Sequence, residues 1–148
     1  MKLNEIIRRS LGVDPGCSFD FRSKKVHDQV QAVAQKLEAK YGTAELCGRN
    51  RVVFMGKNVV IKLPRNDTGI DDNISEARHY KLSPEKDRLA RSRLLDVDGI
   101  PVIIMIKVDI MKTLADQDKK PDWATFFDCA QVGLTKNCKW RAYDYGGF

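Results

Sequence analysis

Apolar and polar positions along this chain follow two periodicities, one typical of helices and one typical of extended strands. Residues 3–11 place their apolar side chains on one helical face, and a turn rich in Pro, Gly and Ser is predicted at 13–18. A longer helix is predicted to begin after Ser23, which can cap it, and to end at Tyr41-Gly42. Its apolar residues form a single stripe, so this helix should lie on a sheet: Val26, Val30, Val33, Ala34 and Leu37.

Five short segments have the composition of β-strands: 44–47, 51–55, 58–63, 89–96 and 102–108. Gly56-Lys57 is typical of a hairpin turn between the second and third strands, and a DVDG turn joins the last two. Between the third and fourth strands a helix is predicted over 71–81, with Asp71 and Asp72 suiting the positive end of its dipole. This order predicts a mostly antiparallel sheet of about five strands with one inserted helix.

The last part of the sequence has weaker patterns. Residues 115–122 are polar enough for a linker, and a short helix is predicted over 123–130 with Asp122 as its cap. A small hairpin should follow, formed by 132–135 and 140–143. The whole pattern predicts one α+β domain, which divides into a helical extension, the sheet with its helix, and a remainder: 1–42, 43–110 and 111–148.

One charged residue interrupts an apolar strand. Lys62 lies in the segment VVIKL, and an unpaired charge in a buried strand costs several kcal/mol, so it needs a partner. Glu76 lies close to the apolar face of the next helix and is the candidate. Two alternatives stay open: Lys62 snorkels out from an edge strand, or Glu76 is solvated and pairs locally with Arg78 or Tyr80.

Composition and net charge indicate which classes of partner are favoured. The chain has 148 residues, 43% of them hydrophobic, with a net charge of +6, which favours anionic partners such as nucleotides, nucleic acid or acidic protein surfaces. No apolar run reaches the roughly 20 residues of a membrane span. The N-terminus also has no apolar core of signal-peptide length, so we expect a cytoplasmic protein with no membrane partner.

The cysteines and histidines carry no recognisable metal pattern. The four cysteines are widely spaced and form no CxxC pair, so reduced thiols are favoured over a zinc site or a disulfide framework: Cys17, Cys47, Cys129 and Cys138. His27 and His79 lack neighbouring ligands and are expected to be surface or packing residues.

Four short segments, VVIK, NISEARHY, IPVIIMIKV and AYDYG, and two longer stretches that overlap them resemble parts of the protein kinase-like superfamily. VVIK, NISEARHY and IPVIIMIKV resemble the lysine strand, the following helix and the strand that leads into the kinase hinge. AYDYG resembles the metal-binding Asp-Phe-Gly. The stretches RVVFMGKNVVIKLPRNDTGIDDNISEA and QVGLTKNCKWRAYDYG resemble, more narrowly, small kinase-like proteins of bacteriophages. The resemblance covers roughly residues 43 to 148.

This resemblance implies a sheet like that of the kinase N-terminal lobe and a site for ATP and Mg²⁺. Lys62 would hold the ATP phosphates and Glu76 would pair with it. The hinge, with Met105 and Lys107, would lie along the adenine, and Gly48 would belong to the phosphate loop. Asp144 would bind the metal.

The sequence also departs from the kinase pattern. Alignment on Asp144 places Gln131 at the position of the second metal ligand, an asparagine in the family, and Phe126 at that of the catalytic aspartate. Phe126 cannot accept a proton, and Asp128, two residues out of register, is the candidate substitute. Gly48 is the only glycine in LCGRNRV, whose arginines would either bind phosphate or occupy the place of the nucleotide.

Three functional hypotheses follow. The first is a degenerate, truncated kinase-like protein of phage type that binds and inhibits or redirects a host protein, either with ATP and Mg²⁺ or with no cofactor. The second is a minimal phosphotransferase that uses ATP and Mg²⁺, with Asp128 as its base. The third is a basic nucleic-acid binder with Arg49, Arg51, Trp123 and Trp140 as its contacts.

Overall fold

The computed structural model describes residues 18–109, 119–126 and 131–145. Within them the chain forms the α+β fold expected from its sequence, with a five-stranded sheet, two helices and a two-stranded hairpin. The helix predicted over 3–11 and the candidate base Asp128 lie outside the described residues. None of the described helices is long and apolar enough to cross a membrane.

The main sheet is antiparallel and has the strand order β1-β2-β3-β5-β4. Its strands are β1 Leu46–Cys47, β2 Arg51–Met55, β3 Val59–Pro64, β4 Ser92–Val97 and β5 Ile100–Ile106. In this register Lys62 of β3 lies between Val53 of β2 and Ile103 of β5. The third strand is therefore central, and Lys62 is far from either sheet edge.

Helix α1, Lys24–Tyr41, covers one face of the sheet, as its single apolar stripe predicts. Ser23 caps it, since the Ser23 side chain accepts a hydrogen bond from the Val26 amide, and Gly42 ends it with φ 83°. Val30 and Val33 are fully buried against the strand residues Val52, Phe54, Ile61, Leu63 and Val102. We call this side of the sheet the α1 face.

Helix α2, Asp67–Leu82, begins four residues before the predicted start. Asn66 is its cap, because the Asn66 Oδ1 accepts a 2.8 Å hydrogen bond from the Gly69 amide. The first turn therefore carries Asp67, and the expectation that Asp71 and Asp72 open the helix was wrong. Pro64 and Gly69 predicted a loop here, but the Asn66 cap allows the helix to begin between them.

Gly69 lets the first turn of α2 approach the chain before β2. A Cβ atom added at Gly69 would lie 2.1 Å from the backbone oxygen of Asn50, far inside contact distance. We expect Gly69→Ala to destabilise the protein by about 1–3 kcal/mol, because backbone must move to admit the methyl group. Urea unfolding measures this, with the neighbouring variant Thr68→Ala as the control. Equal stability of the two variants would contradict the close approach.

Strand β4 begins later than predicted, and strand β5 begins earlier. Leu89 bridges to Ala142 of the C-terminal hairpin instead of joining β4, and a 3₁₀ helix, Lys86–Arg88, precedes it. Pro101 is accommodated inside β5 because it lies beyond Ile103, the last residue there paired with β3, so its missing N–H interrupts no pairing on that side.

The C-terminal hairpin is confirmed, with β6 Val132–Leu134 paired to β7 Trp140–Ala142. It docks beneath the opposite side of the sheet, which we call the α2 face, where Ala90 N–H donates to the Ala142 carbonyl over 2.8 Å. The helix predicted over 123–130 was wrong in type within the described residues, because a 3₁₀ helix spans Asp122–Phe126. Residues 127–130 lie outside the described ranges.

Cysteine chemistry departs from the expectation of four reduced thiols. Cys47 is disulfide-bonded. Cys138 is a free, exposed cysteine, as predicted. Wide spacing in sequence hid the pairing, since sequence separation says nothing about which cysteines meet in the fold.

Candidate functional site

Lys62 and Glu76 face each other beneath the sheet. The Lys62 Nζ lies 3.0 Å from Glu76 Oε1 and 3.1 Å from Glu76 Oε2. Glu76 is fully buried and Lys62 is 6% exposed. The inward orientation of Glu76 is thus confirmed, and the alternatives of a snorkelling lysine and a solvated glutamate were wrong.

Asn73 fixes the helix that carries Glu76. It lies one turn before Glu76 on α2 and is fully buried. Its Nδ2 donates to the Lys62 carbonyl over 3.0 Å and to the Pro101 carbonyl over 2.9 Å, which ties α2 to β3 and β5. Because the helix is held at this point, the Glu76 carboxylate is aimed at the Lys62 ammonium.

Arg51 completes the cluster from the first position of β2. Its Nη1 lies 2.5 Å from Glu76 Oε2 and 3.3 Å from Asn73 Oδ1, and its Nη2 lies 2.6 Å from Asp144 Oδ1. The guanidinium therefore bridges a carboxylate on α2 and a carboxylate beyond β7. We call Arg51, Lys62, Glu76 and Asp144 the ionic cluster.

The segment after β7, residues 143–145, also contacts the ionic cluster. The Lys62 Nζ donates to the Tyr143 carbonyl over 2.5 Å, and the Tyr145 amide donates to Glu76 Oε1 over 3.1 Å. The fully buried Tyr145 hydroxyl donates to the Ala90 carbonyl and accepts from Ser92, each over 2.7 Å. Chain segments far apart in sequence thus meet at one lysine–glutamate pair.

The cluster is electrically balanced, with two cations and two anions. Burial alone would raise the pKa of Glu76, but the Lys62 ammonium and the Arg51 guanidinium outweigh it and lower that pKa below 4.5. Burial alone would lower the pKa of Arg51, but Glu76 and Asp144 raise it, so Arg51 stays charged. Lys62 faces three acceptors, two carboxylate oxygens and one carbonyl, which matches the three N–H donors of an ammonium.

The depressed pKa of Glu76 predicts acid sensitivity. A carboxylate with a folded-state pKa below its unfolded value stabilises the fold above the unfolded value, and this contribution is lost as the pH falls through the folded value. Stability should therefore decrease as the pH falls below about 4.5, the ordinary value for glutamate. Urea unfolding across this range should show a shallower dependence for Glu76→Gln. An equally steep decrease in that variant would assign the effect to other carboxylates.

The groups predicted to bind ATP and Mg²⁺ already have partners within the protein. All three Lys62 donors have acceptors, so none is left for a phosphate oxygen, and Arg51 already holds one Asp144 oxygen. The Gln131 Oε1 is buried, and no hydrogen-bond partner for it lies among the described residues. Across the described ranges, however, no three His, Cys, Asp or Glu residues are placed to hold a metal ion. The residues as arranged do not fit the nucleotide and metal.

The other predicted site residues lie elsewhere. Met105 is 1% exposed and packs in the core beside Ile103 and Tyr145. The Lys107 ammonium donates to the Gly56 carbonyl over 3.3 Å, at the turn between β2 and β3. Gly48 lies in an exposed turn before β2, and Phe126 is 72% exposed at the end of its 3₁₀ helix. Among the predicted site residues that the structure describes, Lys62, Glu76 and Asp144 share one cluster.

No family model, curated protein or solved structure matches this chain. The kinase-like resemblance therefore stays a prediction, as do its implied cofactors and partners.

Two members of the site lie in the segments NISEARHY and AYDYG, but neither segment predicts the contacts that these residues make. Asn73 and Tyr145 look like ordinary polar and aromatic positions, and their roles depend on contacts across the fold. Arg51 had a usable signal, because Val52 and Phe54 alternate with it along β2. Once those apolar residues are assigned to the α1 face, Arg51 must point to the side that bears Lys62.

Proposed function

We propose that this chain is a kinase-like protein without efficient kinase activity, which acts by binding a protein of the host cell. In this proposal it is a phage-type effector or anti-defence factor. The observation that supports it best is the Arg51 guanidinium, which bridges Glu76 and Asp144 while Lys62 is held by Glu76 and the Tyr143 carbonyl. The ionic cluster then serves as internal structure and not as a nucleotide site.

Phosphoryl transfer depends on positioned charges and metal ions, and it would need those same groups free. For Asp144 to bind a metal with both oxygens, Arg51 would have to release it. For Lys62 to bind a phosphate, its ammonium would have to leave the fully buried Glu76 carboxylate or the Tyr143 carbonyl. Removing a partner from a buried ion pair costs about 3–5 kcal/mol. A minimal phosphotransferase stays the second candidate because Lys62, Glu76 and Asp144 do lie in one cluster.

The structure lends less support to nucleic-acid binding. The Arg51 side chain is only 11% exposed and is held by two carboxylates, so it is not available to a phosphate backbone. Trp123 lies under the Arg88 guanidinium, 5.5 Å from ring centroid to carbon, which covers one of its faces. The proposed partner is therefore a protein.

Affinity capture with the full chain from a bacterial lysate, followed by reconstitution with purified components, tests this proposal. We expect one partner to be recovered equally with Mg²⁺-ATP and with EDTA. The matched variant Asp144→Asn, which removes the implied metal ligand, should bind that partner equally well. Transfer of phosphate from ATP to a protein, lost in Asp144→Asn, would overturn the proposal in favour of the second candidate.

A further inference from the structure

The strand β4 forms an open edge of the main sheet. It pairs with β5 on one side, and no strand among the described residues pairs with its other side. It is six residues long, contains no proline and keeps a continuous register with β5. The opposite edge, β1, has only two residues, so β4 is the edge that can accept another strand.

The register decides which backbone groups of β4 point away from the sheet. Ile106 N–H donates to the Arg91 carbonyl, so residue 91 directs its backbone groups towards β5. Because directly opposed pairs alternate in an antiparallel ladder, Arg93, Leu95 and Val97 do the same. The N–H and C=O groups of the residues between them therefore point outward: Ser92, Leu94 and Asp96.

The exposed side chains along β4 are basic on one face of the sheet and apolar on the other. Arg91 and Arg93 are exposed, and Arg93 lies opposite Ile104 on the α1 face, with Arg91 two residues away on the same side. Neither arginine has an ion-pair partner in the part of the chain that the structure describes. Leu94 is 38% exposed and lies on the α2 face, opposite Ile103. Asp96 is engaged locally, since its Oδ1 accepts from the Gly99 amide over 2.7 Å.

We propose that β4 binds an extended acidic segment of a partner protein, which adds to the sheet as a sixth strand. Its backbone would pair with Leu94 and its neighbours, its acidic side chains would oppose Arg91 and Arg93, and an apolar side chain would oppose Leu94. Acidic residues two positions apart match the spacing of roughly 7 Å between the two arginines. This inference deepens the proposed function and rests on it for the nature of the partner.

Charged side chains can also protect a sheet edge from unwanted pairing. Such an edge is commonly blocked by charged side chains along it, by a proline, by a bulge or by a charge that points inward. Arg91 and Arg93 lie exposed on the α1 face and leave the outward amides accessible, while Leu94 on the other face is apolar. The charge of the two arginines repels other basic strands but attracts an acidic one, which favours selective pairing over simple protection.

Two capped ten-residue peptides, one alternating Val with Glu and one alternating Val with Lys, serve as probes. Titration of the isotope-labelled full chain, followed by NMR, should give saturable binding of the Glu peptide with a Kd of about 1 mM or lower. Amide hydrogen exchange at Ser92, Leu94 and Asp96 should slow at least about tenfold on saturation. The Lys peptide should not bind.

Two matched variants separate backbone pairing from side-chain contact. Leu94→Pro removes one outward donor without touching the β4–β5 ladder, whereas Leu94→Ala keeps that donor and loses only the side chain. We expect Leu94→Pro to abolish binding of the Glu peptide and Leu94→Ala to weaken it only severalfold. The double variant Arg91→Glu/Arg93→Glu should instead prefer the Lys peptide. Thermal unfolding checks that each variant is folded.

Failure of this inference can be told from failure of the proposed function. No binding of the Glu peptide, or equal binding by Leu94→Pro and Leu94→Ala, would overturn the β4 inference. If a captured partner binds folded Leu94→Pro as well as the natural chain, the protein-binding function stands and the edge is not its surface. If the peptide binds as expected but no partner is captured, the edge inference holds and the proposed function fails.

Discussion

Replacing Glu76 by alanine should lower the free energy of unfolding by about 3–5 kcal/mol. Glu76 is fully buried and accepts hydrogen bonds from Lys62, Arg51 and the Tyr145 amide. Its removal leaves a buried ammonium with one carbonyl and a guanidinium with one carboxylate, so two cations lose most of their compensation. Glu76→Gln should cost less than alanine, because the amide keeps one acceptor oxygen while it loses the charge.

Urea unfolding followed by circular dichroism measures this loss. The control is Arg78→Ala, a less buried position on the same helix, which should change stability by less than about 0.5 kcal/mol. The double variant Lys62→Met/Glu76→Leu should recover part of the loss, because a hydrophobic pair can replace a buried ion pair. A cost for Glu76→Ala no larger than that of Arg78→Ala would mean that the cluster does not hold α2 against the sheet.

Replacing Tyr145 by alanine should cost about 3–5 kcal/mol, the range for truncating a large buried aromatic side chain. Tyr145 is fully buried among Leu89, Ala90, Met105 and Ala142, so its loss opens a cavity between the hairpin and the sheet. Tyr145→Phe keeps the ring and removes only the hydroxyl. That variant should cost about 1–3 kcal/mol, since the buried Ala90 carbonyl loses its donor.

The same unfolding measurement compares these variants with Phe126→Ala. Phe126 is 72% exposed, so its truncation should have almost no effect. The expected order of stability loss is Tyr145→Ala, then Tyr145→Phe, then Phe126→Ala. Equal stability of Tyr145→Ala and Phe126→Ala would show that the chain after β7 does not dock under the sheet.

Local patterns were enough to predict most of this fold. The apolar stripe of α1, the turn at Gly56-Lys57 and the alternating strands each depend on neighbours within a few residues. The pairing of Lys62 with Glu76 was also accessible, because only 14 positions separate them and a charge inside an apolar strand demands a partner.

The rest of the site depends on contacts that no local pattern encodes. Arg51 and Asp144 are 93 positions apart, and their contact exists only because the segment after β7 returns to the side of the sheet that carries Arg51. The early start of α2 likewise follows from the Asn66 cap and from the space that Gly69 leaves for Asn50. The disulfide at Cys47 could not be predicted from cysteine spacing for the same reason.

Arg51 and the Tyr143 carbonyl contact the groups that the kinase-like resemblance assigns to a nucleotide and its metal, and the proposed function depends on these contacts. Titration calorimetry of the full chain with ATP, in the presence and absence of Mg²⁺, tests it most directly, with Asp144→Asn as the matched variant. We predict no saturable heat of binding at millimolar ATP. Thermal unfolding gives a second readout: a bound ligand would stabilise the folded state, so we also predict no rise in melting temperature with ATP. Magnesium-dependent ATP binding that Asp144→Asn abolishes would contradict the account.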